Sequence, residues 1–255
     1  MLHQITKVGA RDMSIWSRAL TARYYGNTSN CEFVRKAVIT GGTDGIGAEI
    51  CKEFLTCGMK VAVVSSNERK FFDLLDTEPF RSNENNIWLI PADLSDAAST
   101  LKAAEIAVEW AGGHVDVLVN HVPSSRENSV AKATVEDWDK QFASCVRAPF
   151  IFAEVVSGGM IDNRCGKIIN ISFQSSSLSH ITSSALDEMM KKMGSELTQH
   201  NVQLNSVTLG NVSTCQDTKH ITSMVSYLAS GSSAIAGLNF GVESTKLQKN
   251  MNSPP

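Results

Sequence analysis

The stretch Thr40-Gly41-Gly42-Thr43-Asp44-Gly45-Ile46-Gly47 decides the fold of this chain. It follows Ala37-Val38-Ile39-Thr40, a short apolar and β-branched run that predicts a buried strand. Apolar residues at helical spacing come next, at Ile46, Ile50 and Phe54, and Gly58 predicts the end of that helix. This order suits a dinucleotide, because glycines permit a tight turn and let backbone N–H groups approach a pyrophosphate at a helix N-terminus.

The rest of the core repeats the alternation of strand and helix. Apolar runs predict further strands at 61–64, 87–90, 115–119, 167–171, 202–207 and 238–240. Helical spacing predicts helices at 97–111, 135–150, 186–197 and 218–230. Strands separated by helices pair in parallel through right-handed crossovers, which predicts an α/β fold with a single doubly wound parallel sheet flanked by helices. Its ligand crevice should lie at the carboxyl ends of the first and fourth strands, where the strand order reverses.

Composition excludes several classes of function. The 255 residues are 42% apolar and 19% charged with a net charge of −3, which favours a soluble domain without attraction to nucleic acid. No uninterrupted run of 18 apolar residues occurs, so we expect no membrane span. The six cysteines form no CxxC pair and no zinc-finger spacing, which predicts free thiols and no metal site.

The N-terminal residues differ from the rest of the chain in their charge pattern. Residues 1–34 form an N-terminal arm in which residues 1–31 carry Lys7, Arg11, Arg18 and Arg23 against the single acid Asp12, on an amphipathic pattern. Such a start is typical of a mitochondrial presequence, and the alternative is a disordered or surface-packed arm of a cytoplasmic protein. We expect the core domain over 35–245 and a disordered tail over 246–255.

The glycine spacing TGxxxGIG is not the usual GxGxxG, and it resembles the short-chain dehydrogenase/reductase family. The resemblance covers most of residues 36–243. Further segments carry it, namely Asp93-Leu94, 117–120, 138–140, 146–150, 168–172 and 228–230. It implies a Rossmann-type fold, a nicotinamide dinucleotide cofactor, and homo- or hetero-oligomers formed with relatives through helices matching 135–157 and 184–198. The motif details look closest to the branch of NADPH-dependent carbonyl and retinal reductases.

The resemblance also implies which residues bind the cofactor. They are Gly41, Thr43, Asp44, Gly45, Ile46, Gly47, Ser66, Asp93, Leu94, Asn120 and Thr214. The choice between the two dinucleotides stays open. The second strand is followed by Ser65-Ser66-Asn67 rather than by an acid, and Arg69 and Lys70 come soon after, which favours NADP(H). Glu68 and Asp44 argue for NAD(H).

The catalytic residues that the family implies are absent. The family uses a tyrosine as general acid, a lysine four residues later, a carbonyl-polarising serine and a helix asparagine. The matching positions here hold Ser179, Ser183, Phe173 and Cys145. The tyrosines of the chain are Tyr24, Tyr25 and Tyr227, so none can begin a Tyr-x-x-x-Lys pair in this region.

Further departures concern the substrate side of the site. The family's proline before Thr214 is missing, and of its long substrate-covering segment only 215–220 remain, which predicts a shortened lid. Losing a general acid typically costs about 10²–10⁴ in rate. Losing the whole set predicts a catalytically impaired protein that retains weak NADP(H) binding and has no catalytic residues of its own.

Two alternatives stay open beside that prediction. An active carbonyl reductase would need a rebuilt site, for which His121 and His180 are the candidates because their pKa lies near neutrality. A decayed gene product would show marginal stability. We expect Cys145 to be a small buried apolar group rather than a nucleophile. We expect the methionines of the helix at 186–197 to contribute to the core or a subunit contact. The serines 172, 175–177 and 179 should form a solvated loop.

Overall fold

A computed structural model describes residues 34–122, 130–173, 177–210, 215–231 and 233–242, with the side chains of residues 177 and 215–217 excepted. The described residues form one sheet of seven strands. The strands are β1 (Lys36–Thr40), β2 (Lys60–Ser65), β3 (Ile87–Pro91), β4 (Val117–His121), β5 (Gly166–Phe173), β6 (Val202–Leu209) and β7 (Asn239–Val242).

Helices connect these strands. They are α1 (Gly45–Thr56), α2 (Glu68–Leu75), α3 (Ala97–Trp110), α4 (Val135–Phe142), α5 (Ala148–Asp162), α6 (Ser177–Leu197) and α7 (Cys215–Ala229). A π-helical turn at Ala143–Arg147 joins α4 to α5 without a break. Short 3₁₀ turns lie at Arg81–Asn86, Val130–Lys132 and Thr198–His200.

The strand order is β3-β2-β1-β4-β5-β6-β7, and every neighbouring pair is parallel. The order reverses between β1 and β4, where Ala37 lies opposite Val117. The doubly wound sheet and its reversal point are therefore confirmed. The physical reason is that a helix between two strands carries the chain back to the end of the sheet where the first strand began, so that the next strand runs parallel to it.

The core has two layers because successive strand residues face opposite sides of the sheet. Ala37 and Ile39 pack with α1 and α7 on one side, where Phe54 and Val225 are buried. Val38 packs on the other side with α3, α5 and α6, whose contributions include Phe152 and Met190. The methionine-striped helix α6 thus contributes to the core as predicted.

The structure differs from the sequence prediction at two elements. Helix α2 was not predicted, because it has only eight residues and Phe71 is its one buried residue, which is too little for a sustained periodic signal. Strand β4 begins at Val117 rather than Val115. The reason is local: the Lys36 backbone N–H donates to the Asp116 carboxylate at 2.8 Å, so the chain enters the sheet only after Asp116.

Among the described residues, the continuous helix Val135–Asp162 is long and apolar enough to cross a membrane by length and composition alone. Phe152, Val156 and Met160 of this helix are buried in the core layer that covers β1, β4 and β5. Packing against the sheet accounts for the apolar character of that side of the helix.

Candidate functional site

The glycine turn between β1 and α1 is held tightly against β2. The Gly41 backbone N–H donates to the Val64 carbonyl at 2.8 Å. Gly41 and Gly45 have φ values of +64° and +51°, which residues other than glycine rarely adopt. A Cβ atom on Gly47 would lie 2.2 Å from the Gly41 carbonyl oxygen. Helix α1 therefore begins in direct contact with the turn.

The N-terminus of α1 is open to an anion. Asp44 precedes the helix, and its side chain makes no capping hydrogen bond. The Asp44 carboxylate instead pairs with the Lys70 ammonium at the start of α2. The first turn of α1 contains no acidic residue, so its backbone N–H groups and helix dipole favour a phosphate.

A cavity of about 460 Å³ lies beside this turn, in the range of small-molecule sites. We call it the larger cavity. Its lining comes from the ends of β1, β2 and β3 and from α4. Six of the predicted cofactor residues line it, namely Gly41, Thr43, Asp44, Ser66, Asp93 and Leu94. Gly45, Ile46 and Gly47 form the adjoining first turn of α1.

The end of β2 supplies hydroxyl and amide groups to the larger cavity. The Asn67 backbone N–H donates to Ser65 Oγ at 3.1 Å, and the Lys70 backbone N–H donates to Asn67 Oδ1 at 3.0 Å. Asn67 is therefore the N-cap of α2. Because this cap fixes the start of α2, Lys70 is placed on the rim of the cavity beside Asp44.

Asp93 presents an ionised carboxylate at the opposite wall. Its Oδ1 accepts hydrogen bonds from the Ser95 hydroxyl at 2.7 Å and the Ser95 backbone N–H at 2.9 Å. These two bonds lower the pKa of Asp93 below its ordinary value, and the positive charge of Lys140 adds to the effect. The side chain is therefore a fixed hydrogen-bond acceptor for the amino or hydroxyl groups of a ligand.

A second enclosed space lies at the ends of β4 and β5 and against α6. We call it the smaller cavity. It measures about 20 Å³, enough for one water molecule. It is lined by Asn120, Val122, Gln141, Cys145, Pro149, Ile171, Ser172, Phe173, Ser179, Thr182, Ser183 and Leu186. Val122 lines both cavities and forms the wall they share. Asn120 thus lines the smaller cavity and not the larger one.

The positions that the family resemblance assigns to the tyrosine and lysine open onto this smaller cavity. Ser179 and Ser183 are both buried, and the Ser183 hydroxyl donates to the Phe173 carbonyl at 2.8 Å. The prediction of a solvated serine loop is wrong for Ser172 and Ser179. Ser172 is buried in β5, where its Oγ lies 3.1 Å from Thr208 Oγ1, and Ser179 is buried in α6. Local polarity misled the prediction, because tertiary hydroxyl partners satisfy these groups.

Asn120, which lines the smaller cavity, meets a second buried asparagine, Asn170, on the neighbouring strand β5. The Asn120 side-chain N–H donates to Asn170 Oδ1 at 2.8 Å. Within the described part of the chain, Asn120 Oδ1 and Asn170 Nδ2 are buried without a hydrogen-bond partner. Such groups are costly unless a water or a ligand satisfies them, so a water in this cavity would be held firmly.

Cys145 lies on the π-helical turn and carries no activated thiolate. Burial raises the pKa of its thiol to about 12, and Gln141 Nε2 lies 3.4 Å from its Sγ. It is a packed neutral thiol, in keeping with its prediction as a small buried group. Sequence reasoning missed Lys140 and Gln141 on α4 and Ser144 on the π turn as lining residues, because helical spacing alone does not show which residues of a helix border a cavity.

The two histidines do not provide a general acid in the described site. His121 is buried, its Nδ1 lies 3.2 Å from the Gly41 carbonyl oxygen, and burial lowers its pKa to about 4. It is therefore neutral at physiological pH. His180 is exposed on α6 and lines neither cavity.

The remaining predictions fall partly outside the described residues. Thr214 lies outside them, and so does the arm at 1–33. Strand β6 ends at Leu209 and α7 begins at Cys215, so few residues are available there to cover a substrate. Within the described ranges, no group of three or more His, Cys, Asp or Glu residues could hold a metal ion. No disulfide bond joins the described cysteines Cys51, Cys57, Cys145 and Cys165.

Comparison with protein families gives a match over residues 35–224 to the model described as short chain dehydrogenase. An acetoacetyl-CoA reductase from Acinetobacter is 31% identical over 138 residues, which are 53% of this chain and 54% of that protein. The alignment therefore spans about half the length of that relative. Bovine L-xylulose reductase is 29% identical over 181 residues, 68% of this chain and 70% of that protein.

A solved structure shows the same fold. It is a blue fluorescent protein from a metagenomic library in complex with NADPH, with a TM-score of 0.73 and 24% sequence identity. The superposition covers 82% of this chain and 96% of that chain. The sheet and flanking helices are thus shared between the two proteins.

Proposed function

Because the chain belongs to the short chain dehydrogenase family, we propose that it is an oxidoreductase homologue that binds NADP(H) in the larger cavity and is catalytically impaired. Family membership makes a dinucleotide the ligand class to consider first. The proposal separates binding from chemistry, since these two functions depend on different cavities in this chain.

One observation supports the proposal that catalysis is impaired. Ser179 and Ser183, at the positions of the family's tyrosine and lysine, are buried around a space of about 20 Å³. A serine hydroxyl is far too weak an acid to replace a tyrosine whose pKa is lowered by a lysine, and none of the described residues that line this space is charged. Polarisation of a substrate carbonyl also requires a fixed hydrogen-bond donor. At the position where the family has the serine that supplies this donor, this chain has the apolar ring of Phe173.

Binding of NADP(H) has separate support. The open N-terminus of α1 suits a pyrophosphate, and Ser66 and Lys70 suit the 2′-phosphate of NADP(H) at the end of β2. The structurally similar blue fluorescent protein was solved with NADPH.

A paired assay tests this function. The purified protein is mixed with NADPH or NADH and a panel of aldehydes, ketones, sugars and acyl thioesters, and consumption of the reduced nicotinamide is followed by absorbance. Bovine L-xylulose reductase serves as the active control. We expect no turnover above the protein-free blank, together with a saturable rise in melting temperature with NADPH. Robust cofactor-dependent reduction would contradict the impaired chemistry, and no thermal shift would contradict binding.

A second candidate function is that of a partner subunit, favoured by an exposed apolar surface. Trp138 and Phe150 are 40% and 43% exposed, and Trp138 stacks on Phe142 with ring centroids 4.5 Å apart. Phe142, Val146, Phe150 and Met189 line one surface cleft together with Asp139 and Arg147. These four apolar residues and Trp138, which stacks on Phe142, form what we call the apolar helix face, which spans α4, the π turn, α5 and α6. Exposed patches of this kind mark association surfaces, which fits a dimer with a second copy or an active relative.

We also propose that the protein resides in mitochondria, on the basis of the basic arm at 1–34. A fusion of residues 1–34 to a fluorescent reporter tests it. Mitochondrial signal is the expected result, and a diffuse cytosolic signal would overturn the proposal.

A further inference from the structure

The two cavities differ in volume by more than an order of magnitude. The larger cavity of about 460 Å³ adjoins the open N-terminus of α1, and the smaller cavity of about 20 Å³ lies beyond Val122. Typical ligand sites measure roughly 300–1,000 Å³ and cover most of the ligand surface, whereas about one probe sphere holds one water. Of these two cavities, only the larger one therefore has room for an organic group.

From this asymmetry we propose that the chain binds the adenosine 5′-diphosphate group alone, so that its affinity is independent of a nicotinamide and of its redox state. The inference rests on the proposed binding of a dinucleotide. It states that the protein recognises only the adenosine diphosphate half of that ligand. The same group occurs in ADP, ADP-ribose, the nicotinamide dinucleotides and, as its 3′-phosphate, coenzyme A.

The larger cavity presents the groups that this ligand requires. The N-terminal turn of α1 offers backbone N–H donors for the diphosphate. Ser66 and Asn67 at the end of β2 offer hydroxyl and amide groups for the ribose. The Asp93 carboxylate, fixed by Ser95, is an acceptor for an amino group of the base, and Leu94 adds an apolar contact beside it.

The smaller cavity is closed by groups that hold one another in place. The Ser183 hydroxyl donates to the Phe173 carbonyl at 2.8 Å, and both residues line this cavity. Thr182 is buried, with its hydroxyl 3.1 Å from the Ser179 carbonyl oxygen. A nicotinamide ring would have to displace these buried contacts to enter. Oxidised and reduced dinucleotides differ only in that ring, so a protein that leaves it in water cannot distinguish them.

Isothermal titration of the full chain tests the inference. The probes are ADP, ADP-ribose, NAD⁺, NADH, NADP⁺, NADPH, coenzyme A, nicotinamide mononucleotide and GDP. We expect ADP, ADP-ribose, NAD⁺ and NADH to bind within about threefold of one another, and each oxidised and reduced pair to agree. Nicotinamide mononucleotide and GDP should not bind. Coenzyme A tests whether a 3′-phosphate on the same group is tolerated.

Two outcomes separate this inference from the proposed function. If NADH or NADPH binds at least about tenfold more tightly than its oxidised form or than ADP-ribose, the inference is overturned while dinucleotide binding stands. If no adenosine compound binds a cooperatively folded protein, the proposed binding function itself fails.

A matched pair of variants locates the site. Ser66→Trp places an indole at the exposed rim of the larger cavity and should abolish binding of every adenosine compound. Thr182→Val changes the smaller cavity at nearly constant volume and should leave all affinities unchanged. Circular dichroism checks that both variants fold. Loss of NADH binding in Thr182→Val with ADP binding retained would contradict the inference.

Discussion

Gly47 shows at the scale of a single residue how the fold and the crevice constrain each other. The absent side chain lets α1 start against the Gly41 carbonyl, and that contact sets where the helix N-terminus opens. Asp44 belongs to this turn and His121 contacts it, and their physical states differ, since Asp44 is ion-paired and His121 is neutral and buried. The residue-scale predictions test these states.

Gly47→Ala should lower the free energy of unfolding by about 1–3 kcal/mol, because its Cβ would overlap backbone that cannot move aside. Urea denaturation measures the change. Gly158→Ala is the matched control, since no described atom lies within 4 Å of its Cβ position inside α5. That substitution should raise the free energy of unfolding by about 0.5–1 kcal/mol through helix propensity. A similar decrease in the free energy of unfolding in both variants would contradict the close contact between Gly47 and Gly41.

His121 should make the protein less stable in mild acid. Its folded pKa of about 4 lies below the ordinary value of 6.5, so the unfolded chain binds the proton first as pH falls. The free energy of unfolding should therefore decrease with falling pH between these values, by up to about 1.4 kcal/mol per pH unit from this group. Urea titrations across this range compare the protein with His121→Asn, whose slope should be shallower. Equal slopes would show that His121 does not titrate in this way.

The ion pair of Asp44 and Lys70 should govern the preference for a 2′-phosphate. Both side chains are about half exposed, and both line the larger cavity. Removing the carboxylate by Asp44→Asn leaves Lys70 free for a phosphate and should raise the affinity for NADPH roughly fivefold, with little change for NADH. Lys70→Gln should have the opposite effect. Titration calorimetry measures both, and an equal gain for NADH and NADPH would contradict this role.

At the scale of elements, the apolar helix face is the feature that the fold leaves uncovered. One side of α5 packs in the core through the buried residues Phe152, Val156 and Met160. Phe150 on the same helix remains 43% exposed. A helix that is apolar on both sides needs two partners, the sheet and something outside the described chain. The proposed dimer supplies the second partner.

Phe150→Glu should therefore shift the protein from a dimer to a monomer, because a carboxylate would be desolvated in the contact. Sedimentation velocity measures the state. Phe72→Glu is the matched control, because Phe72 on α2 is 58% exposed and lies away from this face. A monomeric parent protein, or dissociation by both substitutions, would count against the apolar helix face as the association surface.

At the scale of the whole molecule, one sheet supports both layers of the core. Val38 and Ile39 are neighbours in β1 and belong to opposite layers, so neither layer can unfold while the other keeps its strands. We expect a single cooperative transition, with the same midpoint by far-ultraviolet circular dichroism and by tryptophan fluorescence. Broad or separate transitions would instead favour a decayed gene product of marginal stability.

Much of this fold could be predicted from particular residues. The run Ala37–Thr40 and the glycines after it specify a buried strand, a tight turn and a helix, because each signal is local in sequence. The alternation of later segments specified the parallel order through the handedness of crossovers. Helix α2 escaped prediction because a short helix on the outside of the sheet contributes a single buried residue.

For the candidate site as well, some features follow from the sequence and others only from the tertiary structure. By itself, the sequence determined the family resemblance, the glycine turn and the absence of a tyrosine between residues 26 and 226, since these depend only on residue identity and spacing. Only the tertiary structure decided that Asp44 pairs with Lys70 and that Asn120 lines the smaller cavity and not the larger one. It also decided that Ser179 and Ser183 enclose a space for one water. Cavity volume and burial depend on side chains that are distant along the chain, and no local pattern records how closely they pack.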